Sequence, residues 1–202
     1  MESEAARPLR ADAARNHRRI LDAAAAAFEE DGPESSLEEI AARAGVGVAT
    51  LYRRFRTREQ LIRAVFEDVF SAEIEPTAWS AGDDPWADLT GALARAIDAI
   101  SARQVILGLA RETSAYDVET VHRYGRALER LLDRARDAGV VRPELTVRDL
   151  SAVLVMVMAT VHAGDPAGDD RRRYLALVLD GLRPGRERLP AGSVTEPAAD
   201  SA

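Results

Sequence analysis

Apolar residues recur along this chain at the three-and-four spacing of amphipathic helices, and no clean alternating run of strand length interrupts them. Ile20, Leu21, Ala24, Ala27 and Phe28 line one helical face, which Gly32-Pro33 ends. Ser36-Leu37-Glu38-Glu39 is a capping-box pattern, in which the serine hydroxyl takes one orphan amide and Glu39 reaches back to another. Leu37, Ile40, Ala41 and Ala44 then give about two turns, and Gly45 breaks them. A short helix resumes from Val48 to Phe55, with Leu51 and Phe55 on one face. Thr57-Arg58-Glu59-Gln60 predicts a second capping box, opening a long helix striped by Leu61, Ile62, Val65, Phe66, Val69, Phe70 and Ile74.

A polar loop is expected from Pro76 to Pro85, with Asp84 as N-cap and Pro85 in the first turn of the next helix. Trp86, Leu89, Leu93, Ile97 and Ile100 mark that helix, which Val105 to Ala110 extends or restarts. Val121, Tyr124, Leu128, Leu131, Leu132 and Ala135 mark the following one. Thr146, with Asp149 three residues on, caps another. These segments predict an all-α protein of about nine helices. Residues 14–60 form an N-terminal three-helix unit and 61–183 a helical bundle, while 1–13 and 184–202 read as disordered.

The last two helices, about 147–163 and 171–183, are apolar on nearly every face. Such helices must be covered on all sides. A second copy of the chain would cover Leu150, Val153, Leu154, Val157, Val161, Tyr174, Leu175, Val178 and Leu182 in an antiparallel four-helix interface. The alternative is a central helix wrapped by the rest of its own chain.

Composition first argues against a nucleic-acid partner, since the 202 residues carry 34 acids against 27 bases, a net charge of −7. Resolved along the chain, the picture changes. Residues 20–42 hold seven acids and no arginine, whereas 43–66 hold six arginines and one acid. A local basic block can hold an anion on an acidic molecule, although a solvated helix face would look the same. Every basic side chain is arginine, whose planar fork suits phosphate better than an ammonium does. No cysteine is present, which excludes disulfide frameworks, thiolate metal sites and cysteine nucleophiles. The start, Met1-Glu2-Ser3-Glu4, does not read as a secretory signal, and the apolar stretch Leu150–Ala163 is shorter than the roughly 20 residues that span a bilayer. The expected location is cytoplasmic, with no membrane partner.

Residues 36–55 have the proportions of a helix-turn-helix: two short helices joined by a turn at Gly45-Val46-Gly47. Ile40, Ala41, Val46, Leu51 and Phe55 would form its small core, with Ala41 small because the second helix crosses beside it. Val48, Ala49, Thr50, Arg53 and Arg54 are left to point outward, and Thr50, Tyr52 and the arginines are donors of the kind that bind phosphate. Gly47 sits at the N-cap, where backbone amides can also meet a phosphate.

The run Ile40-Ala41-Ala42-Arg43-Ala44-Gly45-Val46, then Thr50-Leu51-Tyr52-Arg53-Arg54-Phe55, then Arg58-Glu59-Gln60-Leu61, resembles the signature of the TetR family of transcriptional regulators. Ile20 to Phe28 and Gly32 look like that family's first helix, so the resemblance covers roughly residues 15–65. It implies a homodimeric regulator that binds a pseudo-palindromic operator in double-stranded DNA, most often a repressor released by a small-molecule ligand. It further implies phosphate contacts from Thr50, Tyr52, Arg54 (often histidine in the family) and Arg58 (usually lysine). Val48 stands at the variable base-reading position, where a valine can only touch a thymine methyl. Gly47 replaces a common serine cap and Ala49 a frequent glycine, so specificity falls to Arg43, Arg53 and DNA shape. For Arg43 a solvated face is the competing reading. Arg15, Asn16, Arg18 and Arg19 lead into the first helix, and one or two of these arginines are expected to clamp a flanking phosphate.

The resemblance also implies a ligand pocket in the bundle, with Phe70, Trp79, Trp86, Tyr116, His122, Tyr124, Met156 and His162 as lining candidates, though each could simply pack. Glu119 and His122 have the spacing of a di-iron helix, but no second such pair exists, so no metal or cofactor is expected. No nucleophile motif points to an enzyme. The competing function is a helical ligand-binding or interaction protein whose helix-turn-helix is architectural.

Overall fold

The computed structural model describes residues 6–79, 82–115, 118–161, 165 and 167–190. Among them are nine α-helices and no strand. They are α1 (Ala6–Asp31), α2 (Leu37–Ala44), α3 (Val48–Arg54), α4 (Arg58–Val69), α5 (Pro85–Ala102), α6 (Gln104–Glu112), α7 (Val118–Asp137), α8 (Val147–Met158) and α9 (Asp169–Gly181). The all-α architecture read from the periodicity is therefore present.

The caps follow the sequence with one difference. Ser36 accepts the Glu39 amide at 3.2 Å, and Glu39 accepts the Ser36 amide at 2.8 Å. Thr146 and Asp149 do the same at 3.3 and 2.8 Å. At α4 only half the box forms: Thr57 accepts the Gln60 amide, but the Gln60 carbonyl turns to the Arg56 amide at 2.9 Å. Beyond Val69 the chain winds into a π-helical turn (Phe70–Ile74) and a 3-10 turn (Glu75–Ala78), occupying part of the expected loop. Pro76 has no amide to continue an α-helix, and its ring crowds the carbonyl four residues back, so the winding changes just before it.

At both ends the described structure extends past the expected limits. α1 begins at Ala6, ahead of residue 14, because alanine-rich sequence favours helix and Pro8 falls in the first turn, where proline is tolerated. Residues 184–190 are tied down instead of loose. Arg142 donates to the Glu187 carbonyl at 2.6 Å, Glu144 accepts the Leu189 amide at 2.8 Å, and Arg183 stacks 4.0 Å over Trp86.

α1 to α4 form a head and α5, α7, α8 and α9 a body, and one apolar core runs through both. α6 lies between them, packing on α4 and α1. No side chain of α6 caps its own N-terminus. Glu29, near the end of α1, supplies the acceptor, lying 3.5 Å from the Ile106 amide. Burial pushes its carboxyl above the usual range, against the pull of the Ile106 amide. Glu29→Ala should cost on the order of 1 kcal/mol, the scale of a lost helix cap, and should speed hydrogen exchange at Ile106. Unchanged exchange there would show the contact to be idle.

Most of the helix positions expected to meet a second copy are already covered within the subunit. Leu150, Val153, Leu154, Val157, Leu175 and Leu182 are buried in the subunit's own core, and Val161 and Val178 are half-buried. The apolar groups left outside are Val155 (69% exposed), Met156 (53%), Leu177 (64%) and Tyr174 (39%). α8 packs on α5, α7 and α9, so its own chain takes the side that carries the leucines. Only Tyr174 of the expected set is exposed.

Candidate nucleic-acid interface

The two helices of the motif are joined at a glycine for a reason of backbone geometry. Gly45 sits in the left-handed region at φ 62°, and its amide bonds the Ala41 and Ala42 carbonyls. Val46 follows, donating to Ala41 at 3.0 Å. A side chain here is strained, so Gly45→Ala should lower head stability by about 1 kcal/mol in a denaturant titration. It would also displace the Arg19 guanidinium, which donates to the Gly45 carbonyl at 3.2 Å. Ile40, Ala41, Leu51 and Phe55 are buried beneath the turn, and Val46 is half-buried. α3 packs mainly on α2, which leaves its far side open. Gly47, Val48, Ala49, Tyr52, Arg53 and Arg54 are exposed there, and Thr50 is half-buried.

The arginines divide into two groups. Arg43 pairs with Glu30 at 2.6 Å and Asp31 at 2.9 Å, at the end of α1. Arg58 donates to the carbonyls of Pro33 and Ser35 and lies 5.3 Å over the Phe28 ring. Both therefore tie the head together in the subunit, engagements that come in addition to their expected place at the DNA face. Arg18 is likewise engaged, with Asp68 at 2.6 Å, and Arg19 with Gly45.

The second group is open. Arg53 and Arg56 are exposed and have no side-chain hydrogen bond or ion pair among the described residues. Among the described residues the Arg54 side chain makes one hydrogen bond, from Nε to His17 Nδ1 at 3.3 Å. Arg56 was not legible as a site residue because it lies in the turn between α3 and α4, off the motif's helices. Its signal was the basic block itself. The Tyr52 hydroxyl donates to Glu38 at 3.2 Å, and the Glu38 charge raises its pKa, so the phenol stays protonated. His17 is held below its ordinary pKa by burial and then by Arg54, with Asp68 pulling the other way and Arg18 lowering it further.

The pocket candidates are scattered. Phe70 and Tyr124 meet edge to face, with centroids 5.8 Å apart, and the Tyr124 hydroxyl lies 3.3 Å from that of Thr77. Trp86 is half-buried under Arg183 at the chain's far end. His122, Met156 and Trp79 are exposed on the surface of the subunit. Tyr116 and His162 lie outside the described residues. A cleft of about 370 Å3 opens between α1 and α4, lined by Leu21, Val65 and Val69 with Glu29, Asp68 and Arg103. Among the described residues no group of three or more potential ligands could hold a metal ion, and no helix is long and apolar enough to cross a membrane.

Comparison with known proteins settles what this geometry belongs to. The family described as "Bacterial regulatory proteins, tetR family" matches residues 20–65. "Transcriptional regulator SbtR-like, C-terminal domain" matches residues 86–184. A solved TetR transcriptional regulator from Streptomyces coelicolor is 33% identical, over 83% of this chain and 98% of that one, with a TM-score of 0.62. The chain belongs to the TetR family. A second TetR regulatory protein, from Mycobacterium vanbaalenii, is 30% identical over 87% of this chain and 99% of its own, with a TM-score of 0.63. A protein from Rhodococcus, 22% identical with a TM-score of 0.67 over 83% of this chain and 93% of its own, shares the fold. No curated relative matches the chain. This TetR-family member is thus a DNA-binding transcriptional regulator, and its fold is one that binds operators and dimerises. Proteins of this family are generally not enzymes.

Proposed function

We propose that this regulator is a repressor that binds a pseudo-palindromic operator as a homodimer, placing α3 in the major groove, and leaves it when a small molecule binds the body. The observation that carries the DNA half of this reading is the set of open guanidiniums at Arg53, Arg54 and Arg56, beside Thr50 and Tyr52, on a molecule of net charge −7. An acidic body repels DNA in every orientation but the one that presents this edge. Phosphate contacts fix orientation, and the small residues Val48 and Ala49 leave base readout to methyl contact and DNA shape. Gly47 leaves the start of α3 without a side-chain cap, open to the backbone of the duplex.

The exposed Val155, Met156, Tyr174 and Leu177 support a two-fold contact through α8 and α9. The inducer reading rests on the neighbourhood of Phe70, Tyr124 and Thr77, which pairs apolar surroundings with hydroxyls to orient a ligand. The test is selection of bound sequences from random duplexes, followed by footprinting with and without candidate ligands. The expected site has two-fold symmetry, with half-sites about 10 base pairs apart or somewhat more. No enriched sequence would favour an architectural helix-turn-helix, and a footprint without symmetry would remove the dimeric reading.

A further inference from the structure

His17, on α1, belongs to none of the groups so far assigned to DNA, yet it sits against the open edge. Its ring stacks on Phe55, with centroids 5.7 Å and planes 24° apart, which fixes the ring plane. Its Nδ1 receives the Arg54 Nε hydrogen at 3.3 Å. Only a neutral ring with its proton on Nε2 offers a lone pair at that atom. The charged groups around the ring come from three helices: Arg18 on α1, Arg54 on α3 and Asp68 on α4. Asp68 is itself engaged by Arg18, so its pull on the ring is shared, and burial with the two arginines favours the neutral form.

The chemistry of guanidinium gives this contact its meaning. Arg54 has three nitrogens, and the one nearest its stem is used on His17. Both terminal nitrogens, which form the fork that matches two phosphate oxygens, have no partner among the described residues. We propose that His17 is a positioning residue for DNA binding: as the neutral tautomer it anchors Arg54 through Nε and holds the terminal fork ready for a backbone phosphate. An arginine held this way has already lost much of the rotamer freedom that binding would otherwise remove. The proposal rests on the reading of Arg54 as a DNA-facing group.

The test is a double-mutant cycle on affinity for the selected operator, using the full chain, with each variant's folding checked by thermal melting. His17→Phe keeps the stack on Phe55 and removes the acceptor. It should weaken binding about fivefold to tenfold in the parent and have no effect in the Arg54→Ala background. His17→Gln, whose amide oxygen can accept the same hydrogen, should regain most of the loss. An equal loss from His17→Phe in both backgrounds, or no recovery with glutamine, overturns the proposal, since a purely structural histidine would give either result. If Arg54→Ala weakens binding and His17→Phe does not, the positioning role alone falls. If Arg54→Ala binds as tightly as the parent, the assignment of Arg54 falls, and the role of His17 with it.

Discussion

Alanine at Arg53, Arg54 and Arg56 together is expected to remove most of the operator affinity while leaving the fold intact. Each lost phosphate contact should reduce the slope of log affinity against log salt by nearly one unit, so the triple variant flattens it by about 2.7. The three side chains are exposed and hold nothing in the head beyond the single Arg54–His17 bond, so the melting temperature should hardly move. Arg58→Ala is the informative contrast. Its guanidinium bridges the Pro33 and Ser35 carbonyls over the Phe28 ring, so its loss should lower head stability as well as affinity. A triple variant whose salt slope matches the parent's would show that this edge does not meet phosphate.

The second large effect is expected at the other end of the molecule. Val155→Asp with Leu177→Asp places two carboxylates on side chains that are 69% and 64% exposed in the subunit. Nothing in the subunit core is disturbed, so helical content should persist. Across a two-fold, four like charges would face one another in an apolar contact, and sedimentation should then report a monomer. A monomer reads one half-site, and losing the linked second site should weaken operator binding by a factor of 100 or more, on the order of the gain from bivalency. Unchanged sedimentation would move the interface off α8 and α9. The parallel change Leu154→Asp would not test this, because Leu154 is 8% exposed inside the subunit and its loss would unfold the bundle.

What could be read from the sequence follows from the range of the interactions involved. Helix positions and caps are local: the Ser36 and Thr146 boxes close within three residues, and both form as the pattern implies. Gln60 departs from its pattern because a neighbouring amide, that of Arg56, competes for the same oxygen. The helix-turn-helix was legible for the same reason, since Gly45 and the residues packed around it lie within about two turns. Side-chain partners across the fold were not. Arg43 finds Glu30 and Asp31 on α1, and Arg58 finds carbonyls in the loop before α2, contacts that no motif records. α8 was opaque in another way. A helix apolar on almost every face hides which side its own chain will take, so Val153 and Val157 turned inward while Val155 and Met156 stayed out. His122 shows the converse, a residue whose chemistry drew notice and whose helix faces it to solvent.

The Glu29 contact sets a lever ratio. Glu29 touches the α6 amides near one end of α1, and His17 lies twelve residues back along the same rigid rod. At about 1.5 Å per residue that arm is roughly 18 Å long. A tilt of about 10° imposed at α6 would carry the His17 end sideways by about 3 Å, close to the rise of one base pair at roughly 3.4 Å. A tilt of that size would thereby become about one step of mis-registry along the duplex.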